Sequence, residues 1–173
     1  MMNTSMLNNA CSGIEGFGGT MPLDVYLHKQ VTRDMCIVNT DPSTRPGTHW
    51  FVVDNTTQTA PYIFDSYGRK SPTYGHYAWV QRFGMVTNAS SVLQGPTTNV
   101  CGDYCLIYIL LRFSGHAPQK ITNLLQNIAS GTHARDHIVR EYTSNHLGIN
   151  MDTTHIHVTP GLNQICSVFE HTW

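Results

Sequence analysis

The most extreme hydrophobic run lies in the middle of the chain. From Cys101 to Phe113 apolar side chains (Leu106, Ile107, Ile109, Leu110, Leu111, Phe113) fall on nearly every face of a helical wheel. A helix without a polar face belongs at the centre of a domain, and Gly115 is placed to terminate it. Shorter runs rich in β-branched and aromatic residues predict strands at residues 34–40, 49–53 and 61–65. The short connection between the last two predicts an antiparallel pair. A further short strand is expected at 91–93, and a helix at 73–83 carrying Tyr74, Tyr77, Trp79 and Val80. Amphipathic spacing predicts helices at 118–129, with Pro118 in its first turn, and at 134–147, ending at Gly148. Residues 13–19, with four glycines, read as turns in the most flexible-looking segment. The expectation is a single α+β domain over residues 1–173, with a small mixed or antiparallel sheet packed on a buried central helix.

Composition narrows the function classes. Charged residues are only 12% of the chain, and ten Lys and Arg nearly cancel eleven Asp and Glu. That balance offers no field for gripping a polyanion, so DNA binding is not supported. No apolar run approaches the roughly 20 residues of a bilayer span, and no signal sequence is evident, so no membrane partner is expected. Five scattered cysteines, an odd number, fit a soluble protein of a reducing compartment carrying thiols. The sequons at Asn3, Asn55 and Asn88 are then chance matches.

One cysteine sits where chemistry is available. Cys101 opens the central helix, after a break at Gly95-Pro96, and a helix N-terminus stabilises a thiolate. Gly102 leaves room for a substrate backbone, and the Cys101 N–H is a natural oxyanion donor, with Gln94 on the entering loop as the second. His49, after the loop ending in Gly47 and Thr48, is positioned at a sheet edge facing a cleft. Asp65, at the end of the next strand, is placed to fix its tautomer. Cys105, one turn into the helix, reads as a buried core thiol. Taken singly, each of these residues has a plain alternative: a core cysteine, a surface histidine, a turn aspartate, a loop amide. His133 with His137, four apart on a helix, and His155 with His157 on one strand face are the only metal-like spacings. Lacking a companion motif they read as surface histidines, and no metal is expected. A His-rich metal-binding virion or interaction protein is the non-enzymatic alternative.

Four segments together resemble a known family. Gln94-Gly-Pro-Thr-Thr-Asn-Val-Cys101-Gly-Asp-Tyr-Cys105 resembles the active-site segment of the adenovirus endopeptidase (adenain). Gly47-Thr-His49-Trp50, Cys36-Ile-Val-Asn-Thr40 and Tyr62-Ile-Phe-Asp65-Ser-Tyr-Gly68 resemble its other site strands, in the same order, over roughly residues 17–113. The resemblance implies a cysteine endopeptidase with Cys101 as nucleophile, His49 as base, Asp65 as orienting acid and Gln94 in the oxyanion hole. Trp50, Gly47 and Gly102 would line the substrate path. It further implies a monomer that cuts viral precursor proteins at Gly-containing sites, in the host nucleus or cytoplasm and the virion. The wider clan includes SUMO-type proteases, so a deconjugating protease or a same-triad acyltransferase is the enzymatic alternative. Two departures stand out. No Cys lies between Cys36 and Cys101, where the family tethers an activating peptide by a disulfide, and the chain is not basic like the DNA-stimulated relatives. No cofactor is therefore expected. Ile14-Glu-Gly-Phe17-Gly18 resembles the family's cleavage consensus, which raises self-trimming after Phe17; a Gly-rich loop is the plainer reading.

Overall fold

The computed structural model describes residues 2–57, 60–69, 87–88, 91–146 and 167. The helix expected at 73–83, the tail beyond 146 with His155 and His157, and Cys166 lie outside the described residues, Ser167 apart.

Five strands form one mixed sheet in the order of the chain: β1 (Phe17–Pro22), β2 (Met35–Asn39), β3 (Trp50–Asp54), β4 (Tyr62–Phe64) and β5 (Thr87–Asn88). The two inner junctions, β2 with β3 and β3 with β4, are antiparallel, while β1 joins β2 and β5 joins β4 in parallel. The strands at 34–40, 49–53 and 61–65 are present within a residue or two of expectation, and the antiparallel pair is as expected. Every position of β2, β3 and β4 is buried. Such strands have both faces covered, which explains their continuous apolar runs.

The two faces are packed by different elements. Ile37, Val52 and Phe64 point into the main core with α3 (Cys101–Phe113), where Leu106, Ile107 and Tyr108 are fully buried. Burying each such aliphatic side chain stabilises the fold by about 1.5–3 kcal/mol before conformational entropy is counted. Their alternates Cys36, Val38, Phe51, Val53 and Ile63 turn to the opposite face, against Tyr26 of α2 (Leu23–His28). Helices α4 (Pro118–Asn127) and α5 (Thr132–His146) pack on α3, and Gly115 takes φ +86° after its last turn.

Three expectations need correction. Residues 17–19 are strand, because Gly18 lies against the Asp34 and Cys36 side chains, where a Cβ would sit 2.2 Å from Asp34 Oδ2. Phe17–Gly18 is therefore sheet rather than loop. Residues 91–93 are not a strand. The Leu93 and Gln94 N–H groups both donate to the Ser66 carbonyl, so the segment is pinned as a turn-like loop. Helix α1 (Thr4–Cys11) was not anticipated; the Asn3 side chain caps it by accepting from the Met6 N–H at 3.0 Å.

Candidate active site

The sheet and the central helix bring together the four residues singled out for catalysis. His49 immediately precedes β3, and its carbonyl accepts from the Thr40 N–H, which closes the β2–β3 ladder. Asp65 immediately follows β4, the neighbouring strand. The His49 imidazole Nε2 lies 2.8 Å from Asp65 Oδ1, with both side chains buried. The same carboxylate oxygen accepts from the Tyr67 N–H at 2.9 Å, while Oδ2 has no hydrogen-bond partner among the described residues. Bonding to Asp65 places the ring proton on Nε2 and leaves Nδ1 as the basic lone pair. Nδ1 is buried and has no nitrogen or oxygen partner among the described residues, which leaves it to the Cys101 thiol.

Cys101 is the first residue of α3, whose N-cap, Val100, offers no side chain to the first-turn N–H groups. Burial opposes charge on the His49 ring, but the Asp65 hydrogen bond and the Cys101 thiol outweigh it and raise the imidazole above its usual 6.5. The thiol therefore lies within interaction range of the ring. Cys105 is buried, and desolvation pushes its thiol well above the usual 9.0. It belongs to the core, as expected.

Gln94 is fully buried and its carboxamide is held on every side. Its oxygen accepts from Ser66 Oγ at 2.6 Å. Its Nε2 donates to the Thr98 carbonyl at 2.7 Å and, more weakly, to the Tyr67 hydroxyl at 3.2 Å. The Tyr67 ring lies against His49, 4.6 Å between centroids and tilted by 32°, and its hydroxyl donates to the Thr98 carbonyl at 3.2 Å.

Neither the thiol nor the imidazole stands open. Cys101 is 2% exposed and His49 3%. The expected open sheet edge is instead covered, with the Tyr67 ring lying on the imidazole. A cleft of about 380 Å³, lined by neither of them, runs between Met2–Thr4 and the loop from Asn39 to Gly47, with Trp50 in its wall. Trp50 is anchored by an Nε1–H donated to the Met2 carbonyl at 3.1 Å. Gly47 also lines the cleft and presses on the Asn39 amide, where a Cβ would sit 2.1 Å from Nδ2.

Gly102 does not face a substrate path. A Cβ there would meet Met2 and Leu7 at 3.1 and 3.4 Å, so this glycine lets α1 approach α3. His137 faces Glu141 at 3.7 Å on α5, and no three metal-ligating side chains converge among the described residues.

No family model matches the chain, and no curated protein is significantly similar to it. The case for chemistry here rests on geometry.

Five residues of the site were not singled out from the sequence. Ser66 and Tyr67 lie in the segment after the predicted strand at 61–65, and Thr98 lies between Gln94 and Cys101. Arg135 and Asp136 lie in the helix expected at 134–147. The signal for the first two was their place directly after the candidate acid. For Arg135 and Asp136 the sequence carries none.

Proposed function

We propose that this chain is a cysteine endopeptidase of the adenovirus-endopeptidase type. One observation carries the reading. A buried imidazole is held by a buried carboxylate, and it interacts with a thiol at the start of the central helix, its second nitrogen having no nitrogen or oxygen partner among the described residues. An acid, a base and a nucleophile in that order are the arrangement for acyl transfer.

In this mechanism Nδ1 of His49 takes the Cys101 proton, and the thiolate attacks the scissile carbonyl. The oxyanion accepts from the Cys101 N–H and from Gln94 Nε2, whose weaker bond to the Tyr67 hydroxyl yields. The imidazolium then protonates the leaving amine, and water, deprotonated by the same ring, hydrolyses the thioester. Access to the thiol requires the covering side chains to move, and the cleft beside Trp50 and Gly47 receives the peptide. A mixed sheet with helices packed against it supports this reading at the level of fold class. By the same resemblance, the substrates are viral precursor proteins cut at Gly-containing sites by a monomer working inside the infected cell and the virion.

The test compares wild type, Cys101→Ser and His49→Ala on a panel of Gly-rich peptides, with and without a thiol alkylator. Both variants should lose at least about a thousandfold in kcat. Cleavage by Cys101→Ser at the wild-type rate, or activity indifferent to alkylation, would sink the proposal.

A further inference from the structure

The loop that carries Gln94 is held from behind by α5. Asp136, 4% exposed, accepts three hydrogen bonds from neutral donors. Its Oδ2 takes the Gly95 N–H at 2.9 Å and the Thr98 hydroxyl at 2.7 Å, and its Oδ1 takes the Tyr104 hydroxyl at 3.0 Å. Beside it, the Arg135 guanidinium donates to four backbone carbonyls: Leu93 and Val92 before Gln94, Gln126 in the last turn of α4 and Ala129 between α4 and α5. Gln94 therefore lies between a segment gripped by Arg135 and a segment gripped by Asp136. Gly95 is matched to this grip, since a Cβ there would sit 3.0 Å from Asp136 Oδ2.

The grip acts on the carboxamide through Thr98. Asp136 fixes the Thr98 side chain, and the Thr98 carbonyl takes the stronger of the two Gln94 N–H bonds. Ser66 fixes the carboxamide oxygen. With one N–H and the oxygen held, the plane of the amide is set, and Nε2 also lies 3.2 Å from the Tyr67 hydroxyl, which itself donates to the Thr98 carbonyl. A buried carboxylate is costly to desolvate, and it is retained here with three donors and no cation on it among the described residues.

We propose that Asp136 is a positioning residue for the oxyanion donor, holding the Gln94–Thr98 loop so that one Gln94 N–H faces the reacting carbonyl. The inference rests on the endopeptidase reading, and its two readouts separate the fates of both. The first is exchange of the Gln94 carboxamide and Gly95 amide protons, followed by NMR in wild type, Asp136→Ala and Asp136→Asn. These protons should be protected in wild type and exchange at least about tenfold faster in Asp136→Ala. Asn keeps an oxygen for Gly95 and Thr98 and can donate to the Tyr104 hydroxyl, which also bonds the Leu93 carbonyl, so it should restore protection. The second is peptide hydrolysis. Asp136→Ala should lose about a hundredfold in kcat, with KM nearly unchanged and the rate of Cys101 alkylation by iodoacetamide within about twofold. Asp136→Asn should recover most of it.

Thr98→Val, which removes the hydroxyl shared by Asp136 Oδ2 and the Gly95 carbonyl, serves if Asp136→Ala does not fold, and should show the same pattern in weaker form. Unchanged exchange in a folded variant overturns the proposal. So does a kcat loss that alkylation follows in step, which would place the effect on the thiol and imidazole. Intact kcat with faster exchange removes the catalytic role. If wild type cleaves no peptide while its Cys101 alkylates normally, the endopeptidase reading falls, and the exchange data still decide whether Asp136 holds Gln94.

Discussion

Replacing Asp65 by Asn isolates the charge of the acid from its geometry. Both hydrogen bonds that Asp65 accepts, from His49 Nε2 and the Tyr67 N–H, go to Oδ1, and Oδ2 bonds to none of the described residues. An Asn oxygen can occupy the Oδ1 position, with the NH2 group where Oδ2 stood. What disappears is charge assistance. Hydrogen bonds to charged groups contribute about 1.5–3 kcal/mol and neutral ones about 0.5–1.5 kcal/mol, so the loss is roughly 1–1.5 kcal/mol. At about 1.4 kcal/mol per unit, the His49 pKa should fall by about one unit. The assay is a ring-proton NMR titration in a Cys101→Ser background, which removes coupling to the thiol, with and without Asp65→Asn. The sign for stability follows from the direction of the shift. Since the folded imidazole is raised above its usual 6.5, its contribution is fully present below that pH and is lost as pH rises through the folded value. The stability gap between the Asp65 and Asp65→Asn proteins should therefore narrow from pH 5.5 to 8.5 by about 1 kcal/mol. A shift of less than about 0.3 unit, or one upward, would refute the claim that the carboxylate charge holds the ring.

Other outcomes follow from single residues. Gly68 has φ +65°, and a Cβ there would lie 2.9 Å from the Ser91 backbone, so Gly68→Ala should cost at least about 2 kcal/mol in urea unfolding. Tyr108→Phe removes the hydroxyl that donates to the buried Asp54 carboxylate at 2.9 Å and should cost about 1–3 kcal/mol by thermal melting; a neutral result would mean water replaces it. Burial pushes the Cys11 thiol up to about 12 and Cys105 well above 9.0. Alkylation of folded protein near pH 7, mapped by mass spectrometry, should thus modify Cys101 before either; labelling of Cys105 first would contradict the assignment.

The sequence shows an element when its own residues decide it. Strands β2, β3 and β4 and helix α3 are nearly all apolar, so burial on all sides can be read directly, and α4 and α5 show one apolar stripe each. Helix α1 escaped notice because its buried residues, Leu7 and Cys11, are only two in eight and its cap is a single Asn. Strand β1 contains Gly18, Gly19 and a terminal proline, residues that disfavour strands, and is held by its parallel register with β2, which no local pattern encodes. The same division holds at the site. His49, Asp65 and Cys101 could be named because each stands at the boundary of a readable element, and Gln94 because it lies on the loop that enters the Cys101 helix. Gly102 was misread because its role depends on α1, which was not foreseen. Arg135 and Asp136 were missed because charges on a helix normally mark the solvent face, whereas here they hold a loop distant in sequence.

The Asp54 network has a geometric meaning beyond the energy it supplies. Strand β3 begins after His49 and ends at Asp54; helix α3 begins at Cys101 and carries Arg112 near its end. Arg112 Nε donates to Asp54 at 2.6 Å, and Tyr108 donates to the same oxygen. His49 and Cys101 thus stand at matched ends of two rigid members fastened at their far ends. Adding one residue to the strand would slide His49 by about 3.3 Å and turn it to the other face, and adding one to the helix would rotate Cys101 by about 100°. The lengths of these two segments are consequently locked to each other. Natural variation in chain length, and any engineered graft or fusion, has to fall outside residues 49–54 and 101–112.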